Sequence, residues 1–421
     1  MIIPSIDISG GQAVQLVGGE MPAIEAGDPL PILERFGVVG EVAVVDIDAA
    51  RGEGDNTDLI AELCRRGRVR VGGGIRDLAS AMRWLDLGAE KIVIGTAATP
   101  ELLSDLPPER VVVALDSRDG EVLTHGWRQG TGTGVLERLQ QLRDLCGGFL
   151  ITFVEREGRL DGTDLERAAV VIEAAAPARV TIAGGITTPE EVAELDRLGA
   201  DAQVGMALYT GQMTLTDATT AVMRSDRPDG LWPTVVVDQF GTALGLVYSS
   251  PESLRKAIEE GRGVYQSRSR GLWVKGETSG ATQELLAVDV DCDRDSLRFT
   301  VRQSEPGFCH LGTRTCWGED HGLGRLDRRL GRIAGSNDPA SNTRRLLDDP
   351  ALLGAKLSEE AAELTRAEGK EEVIHEAADL LYFLTVRARA GGVELEEVAR
   401  ELDRRERRIT RRPMTDKETL P

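Results

Sequence analysis

The 421-residue chain lacks most of what a membrane, a secretory route or a nucleic-acid backbone would require. Positive charge is short: 50 Lys and Arg stand against 70 Asp and Glu, a formal net charge of −20. Phosphate backbones need basic stripes, so nucleic acid is excluded as the main partner. No apolar run approaches the roughly 20 residues that span a bilayer. The opening Met1-Ile-Ile-Pro-Ser-Ile6 is apolar but stops at Asp7, too short for the core of a secretion signal. Cysteine is sparse and odd in number, 5 in all, which argues for a reducing compartment and against a disulfide framework. A cytoplasmic, membrane-free protein of about three domains is expected at this length. Small phosphorylated ligands are not excluded, because a few amide N–H groups and basic side chains suffice to hold them.

What the chain does have begins with a repeat. Short apolar runs such as Glu41-Val-Ala-Val-Val-Asp-Ile-Asp48, Lys91-Ile-Val-Ile94 and Val111-Val-Val-Ala-Leu-Asp116 alternate with amphipathic helical stretches. Parallel strands with helical crossovers give this pattern, and eight such units suit a closed (β/α)8 barrel over residues 1–225. Ile6-Asp7-x-x-x-Gly11 recurs as Leu115-Asp116-x-x-x-Gly120, and Gly73-Gly74-Ile75 as Gly184-Gly185-Ile186. Leu87-Gly-Ala89 recurs as Leu198-Gly-Ala200, and Gly95 as Gly205, all at nearly one spacing. Two half-barrels follow. Gly73, Gly74, Gly95 with Thr96, Gly184, Gly185 and Gly205 each end an apolar strand where backbone N–H groups and a helix start can approach a phosphate. One such site per half predicts a ligand with a phosphate at each end. Asp7 and Asp116 end strands one and five across the barrel mouth, where two carboxylates can divide general acid and base roles.

Ile3-Pro-Ser-Ile-Asp7, Val71-Gly-Gly-Gly-Ile-Arg76, Val113-Ala-Leu-Asp-Ser-Arg118 and Ala183-Gly-Gly-Ile-Thr187 resemble the isomerase of histidine biosynthesis, which converts a phosphoribosyl aminoaldose to an aminoketose. That resemblance implies Asp7 as base, Asp116 as acid and Thr152 as a polar helper on strand six. The sequence departs from the family at Gln15, where Arg is usual, at Phe153, where an acidic residue is common, and at Glu157, where Asp is usual. The alternatives are a catalytically silent barrel, a related cyclase, or a barrel that also isomerises phosphoribosylanthranilate.

After the polar joint Arg224-Ser-Asp-Arg-Pro-Asp-Gly230, strand-like runs and one helix at 251–260 predict a small α+β domain over 226–322. Cys292, Cys309 and Cys316 predict a catalytic zinc site, three thiolates with one position left for water. The alternative is a structural zinc module that serves oligomerisation. Asp291, Asp293 and Asp295 offer hard oxygen ligands for magnesium. On an extended strand they would share one face and Cys292 the other, which suggests a site completed at a dimer interface. His310 is a candidate proton carrier. Arg268, Arg270, Trp273, Lys275, Glu277, Thr278 and Ser279 form a segment suited to phosphate and a purine face. These motifs resemble phosphoribosyl-AMP cyclohydrolase, implying hydrolytic opening of the purine ring, with Ala281 standing where many relatives carry His.

Residues 323–421 read as all-α, with a charged tail from Arg400 ordered only in part. Glu360-x-x-Glu363 and Glu376-x-x-Asp379 each put two acids on one helical face, and two antiparallel helices would converge all four on magnesium. Glu359-Glu-Ala-Ala-Glu-Leu364 and His375-Glu-Ala-Ala-Asp-Leu-Leu-Tyr382 resemble phosphoribosyl-ATP pyrophosphohydrolase of the MazG-like group. The three resemblances together imply three successive histidine-pathway steps running from the C-terminus to the N-terminus, in a homodimer formed through the second and third domains.

Overall fold

In the computed structural model the described residues are 1–18, 21–124, 127, 129–336 and 341–410. The chain forms two compact units: 1–236 with 246–302 and the segment from 407, and 237–245 with 303–406. Among the described residues no helix is long and apolar enough to cross a membrane.

The first unit is built on eight parallel strands: Ile2–Ser9, Val42–Asp46, Val69–Gly72, Lys91–Ile94, Val111–Arg118, Gly148–Phe153, Arg179–Ala183 and Ala200–Val204. Each pairs with the next, and the eighth returns to the first through Ile2 opposite Ala202, so the sheet closes. Side-chain alternation explains why these sequences close. Ile2, Ile6, Ile8, Val111, Val113 and Leu115 pack outward under the helices, within one large core. Val112, Leu150 and Ala183, with Val93 and Ala114, form a separate inner cluster. Asp7 and Asp116 share the inward parity, one pleat above Ser5 and Ala114. The barrel floor is ionic: buried Arg70 reaches Glu41 at 3.0 Å and Thr181 Oγ1 at 3.1 Å, while Lys91 lies 3.1 Å from Glu41.

The internal repeat reappears in the architecture. Strand one continues into a hairpin, Gln12–Val17 with Met21–Gly27, and strand five into another, Glu121–Thr124 with Gln129–Gly134. Gly73 and Gly184 both have φ +97°, and each leaves no room for a Cβ. An added carbon would lie 2.2 Å from the Asp46 carbonyl at position 73 and 2.6 Å from the Phe153 carbonyl at 184. Asp46 and Phe153 are therefore equivalent, and the halves differ there in chemistry.

A four-stranded sheet in the order Ala243–Ser249, Trp232–Asp238, Leu297–Gln303, Gln283–Val290 lies mostly in the first unit. Helix Pro251–Glu260, capped by Ser250, packs Ile258 against the barrel core. Val264–Ser267 pairs antiparallel with Gly271–Val274, so part of the expected binding segment is a strand. Arg407–Thr410 also rests on the barrel: Arg110 donates to the Arg407 carbonyl at 2.9 Å, and Asp86 accepts from the Ile409 and Thr410 amides. The rest of the charged tail, 411–421, lies outside the described residues.

The second unit carries helices Gly322–Ala334, Asn342–Asp348, Pro350–Arg366, Lys370–Ala390 and Leu395–Glu406. Leu330, Leu346, Leu353 and Val386 make its core. Asp349 caps the third of these helices through the Leu352 amide, with Pro350 at its first turn. Buried Asp238 accepts from the Phe240 and Thr242 amides and pairs with Arg314 at 3.3 Å, fixing the 237–245 hairpin tip.

Candidate functional site

The barrel mouth gathers three carboxyls. Asp7, half-buried at the end of strand one, is pushed up to about 7 by burial. Asp116 is also raised by burial, against hydrogen bonds from Trp127 and Thr152 that favour its ionised form. Thr152 stands directly opposite Asp116 in the strand pairing. Glu157, on the loop after strand six, is pushed up to about 8 by burial and then by the like charges of Asp7 and Asp116. Its carboxyl therefore lies within electrostatic reach of both. Sequence reasoning had noted Glu157 only as a replacement; nothing local signals that its loop folds back over the mouth. Gly158 permits that fold, with φ +70° and a would-be Cβ only 2.6 Å from the Leu16 carbonyl.

Two cavities open at the barrel strand ends, one of them lined by Glu157. One, of about 240 Å³, is lined by Gly95, Thr96, Thr124, Thr131, Thr133 and Arg138 among others. The second, of about 30 Å³, is lined by Ser5, Glu157, Gly184, Gly185, Gln203 and Gly205 among others. Residues of both halves line each recess, and Arg138, Ser5 and Gln203 are lining residues that sequence reasoning did not name. Gly73 and Gly74 line neither recess; a Cβ at either would collide with Asp46 or Ala49. Gln15 is buried, with Oε1 positioned 2.5 Å from a would-be Gly205 Cβ.

In the middle segment the expectation of an extended Asp291-x-Asp293-x-Asp295 strand is corrected. The strand ends at Val290, and 291–296 form a turn in which the Asp295 and Ser296 amides donate to Asp291 Oδ1 at 3.0 and 3.1 Å. Pleat parity therefore does not set the faces. Carboxylate oxygens of Asp291, Asp293 and Asp295 still lie within 4.8 Å of one another, spacing that fits one hard cation. The like charge of Asp293, then burial and Asp291, raises Asp295, the response expected of acids crowded without a counter-ion. Cys292 is exposed on this turn.

Arg270 and Lys275 place their charges 5.9 and 6.0 Å from the Trp273 ring, and Arg268 lies over Tyr248 at 5.0 Å. Lys275 is buried, whereas Glu277, Thr278 and Ser279 are exposed. Position 281 carries a buried methyl group in place of an imidazole.

Cys309 and Cys316 belong to the second unit. The Leu311 amide, against burial and aided by the Thr313 hydroxyl and the Cys316 thiol, holds Cys309 below the usual thiol range. Amide donors aimed at sulfur suit a metal-bound thiolate. Gly245 makes room for Cys316: a Cβ there would sit 3.0 Å from its Sγ. His310 Nδ1 lies 3.9 Å from Cys309 Sγ.

On the helices, Glu360, Glu363 and Glu376 bring carboxylate oxygens within 4.8 Å of one another. Glu360 is raised by burial and then by the charges of Glu363 and Asp379, so Asp379 lies within electrostatic reach of the three. The Gly369 turn, φ +81°, reverses the chain between the helices. The donor set and spacing fit magnesium. His375 Nε2 lies 3.5 Å from Asp379.

Comparison with known proteins agrees with this division of chemistry. The histidine biosynthesis protein family model matches residues 1–214, phosphoribosyl-AMP cyclohydrolase matches 245–318, and phosphoribosyl-ATP pyrophosphohydrolase matches 324–406. The first covers half the chain, and the protein belongs to the histidine biosynthesis protein family. A histidine biosynthesis trifunctional protein of Neurospora crassa is 38% identical over 339 residues, 78% of this chain and 36% of that protein. A histidine biosynthesis bifunctional protein of Schizosaccharomyces pombe is 49% identical over 201 residues, 48% of each chain. A phosphoribosyl imidazole-4-carboxamide isomerase of Gemmatimonas aurantiaca is 40% identical over 222 residues, 50% of this chain and 93% of that enzyme. The chain spans between a quarter and a half of the length of the fungal relatives it matches.

Proposed function

We propose that this chain carries out three steps of histidine biosynthesis. Its helices release pyrophosphate from phosphoribosyl-ATP, its middle segment opens the purine ring of phosphoribosyl-AMP, and its barrel isomerises the resulting aminoaldose to the aminoketose. The observation that carries the reading is the barrel mouth, where Asp7 and Asp116 lie within electrostatic reach of a third carboxyl, Glu157, beside recesses that strand ends of both halves line together.

For the isomerisation, Asp116 gives a proton to the ring oxygen of the aminoaldose as its bond to the anomeric carbon breaks. Asp7 takes the proton from the neighbouring carbon, and the enolamine tautomerises to the ketone. A base near 7 is half ionised at neutral pH, and burial shifts Asp116 toward its protonated form, the direction a general acid needs. Thr152 orients Asp116 through its hydrogen bond.

Cys292, Cys309 and Cys316 would hold zinc, which when bound acidifies water for ring opening. Glu360, Glu363, Glu376 and Asp379, and separately Asp291, Asp293 and Asp295, would hold magnesium, which screens substrate phosphates. Trp273 would face the purine with Arg268, Arg270 and Lys275 toward phosphate, while Glu277, Thr278 and Ser279 would supply exposed polar contacts and His310 would move a proton. The partners would be small phosphoribosyl nucleotides, in the cytoplasm. A homodimer through the middle and helical segments is supported by uncovered apolar side chains: Val373, Ile374, Leu381 and Leu384 on one helix, and Trp317, 70% exposed, beside Cys316. Sedimentation would test it.

The direct test is to incubate phosphoribosyl-ATP with the protein and identify the end product by mass. The aminoketose is expected, with Asp7→Asn stopping at the aminoaldose. Aminoaldose from the unaltered protein would make the barrel a scaffold.

A further inference from the structure

The 291–296 turn contains one cation among its three acids, Arg294, and among the described residues it makes no ion pair with them. Its guanidinium instead reaches the barrel. Nε lies 3.2 Å from both Asp196 oxygens, and Nη2 lies 2.9 Å from Oδ1. The remaining nitrogen, Nη1, donates to the Asp291 carbonyl at 2.9 Å. The pair is largely withdrawn from water, with side chains 17% and 8% exposed. Arg294 holds φ +69°, a region a long side chain rarely enters unless its surroundings fix it. Its carbonyl is fixed too, accepting from the Arg224 amide at 2.7 Å in the joint between barrel and sheet.

We propose that Arg294 is a positioning residue through which the barrel shapes the cation-binding turn of the middle segment. Asp196, near the end of barrel helix Pro189–Arg197, engages the guanidinium, and the guanidinium anchors the Asp291 carbonyl. A forked pair of this kind fixes direction as well as distance. With the arginine so occupied, the three carboxylates stay converged and available to a divalent ion. Released from Asp196, the arginine would fold onto its own neighbours and compete with that ion. The ring-opening segment is thus not autonomous in this chain: its acidic turn is held by a helix of the isomerase barrel. This rests on the reading of the turn as a cation site.

The test uses the full chain on a Glu376→Gln background, which weakens the helical acid site. Manganese binding is measured by water proton relaxation, and amide hydrogen exchange is followed across 291–296. Arg294→Ala and Asp196→Asn are each expected to lower manganese affinity about tenfold. Each should also speed exchange at Asp295 and Ser296 by about tenfold or more, while isomerase kcat/KM changes less than about twofold. The swapped pair, Arg294→Asp with Asp196→Arg, should recover part of both. Unchanged affinity and exchange in both single variants would overturn the proposal. If the parent turn binds no manganese, the cation reading fails, and the exchange data alone decide whether the barrel holds the turn.

Discussion

Asp7 in the barrel and Glu360 on the helices are both raised by burial, but only Glu360 is also raised by the acids around it. In the barrel, Asp7 is raised by burial on a strand that closes the sheet. On the helices, Glu360 sits where Glu363 and Asp379 add repulsion to its burial, and Glu360, Glu363 and Glu376 crowd within 4.8 Å. Burial tunes a single carboxyl for proton transfer and requires no ion. Crowding creates a charge debt that a divalent cation settles. The same functional group therefore serves two chemistries, and the difference lies in what surrounds it.

The largest expected effect breaks the barrel side of this contrast. Asp7→Asn or Asp116→Asn should lower isomerase kcat by roughly 10³-fold or more, with pyrophosphate release unaffected. In the parent, kcat/KM for isomerisation should rise through a limb near pH 7 instead of near 4, since Asp7 acts as base only when ionised. Breaking the helical side comes next: Glu376→Gln should reduce pyrophosphate release on the order of a hundredfold and weaken magnesium dependence, leaving isomerisation intact.

A stability measurement sharpens the comparison further. Asp7 has a folded pKa above its unfolded value, so the folded state binds the extra proton and stability falls as pH rises from about 4 to 7. Asp7→Asn should therefore be more stable than the parent at pH 8, by about 2 kcal/mol after allowing for partial exposure. That gap should close by about pH 4 in denaturant titrations. Effects of similar size or smaller concern the glycines. Gly184→Ala should cost about 1–3 kcal/mol, because φ +97° and the Phe153 carbonyl both oppose a Cβ. Gly95→Ala meets nothing within 4 Å and should leave melting within about 0.5 kcal/mol while raising KM.

The barrel was legible because two local periodicities carry it: outward Ile2, Ile6 and Ile8 alternate with inward Ser5 and Asp7, and the motif set repeats once. The helical acids were legible because their spacing within each helix and the Gly369 turn between them are encoded locally. The acidic turn was misread because Asp-x-Asp-x-Asp is compatible with either a strand or a loop. What decides between them is the hydrogen bonding of Asp291 to Asp295 and Ser296. The convergence of Glu157 on Asp7 and Asp116, and the ion pair of Arg294 with Asp196 across 98 positions, have no local signature at all. Both depend on how loops return in three dimensions, which one chain's pattern does not record.

The most direct test of the contrast is made on one preparation stripped of divalent ions by chelation and supplied separately with the aminoaldose and with phosphoribosyl-ATP. The account predicts that isomerisation continues at near its original rate while pyrophosphate release stops and returns with magnesium. Loss of isomerisation on stripping, or pyrophosphate release that persists without metal, would contradict it.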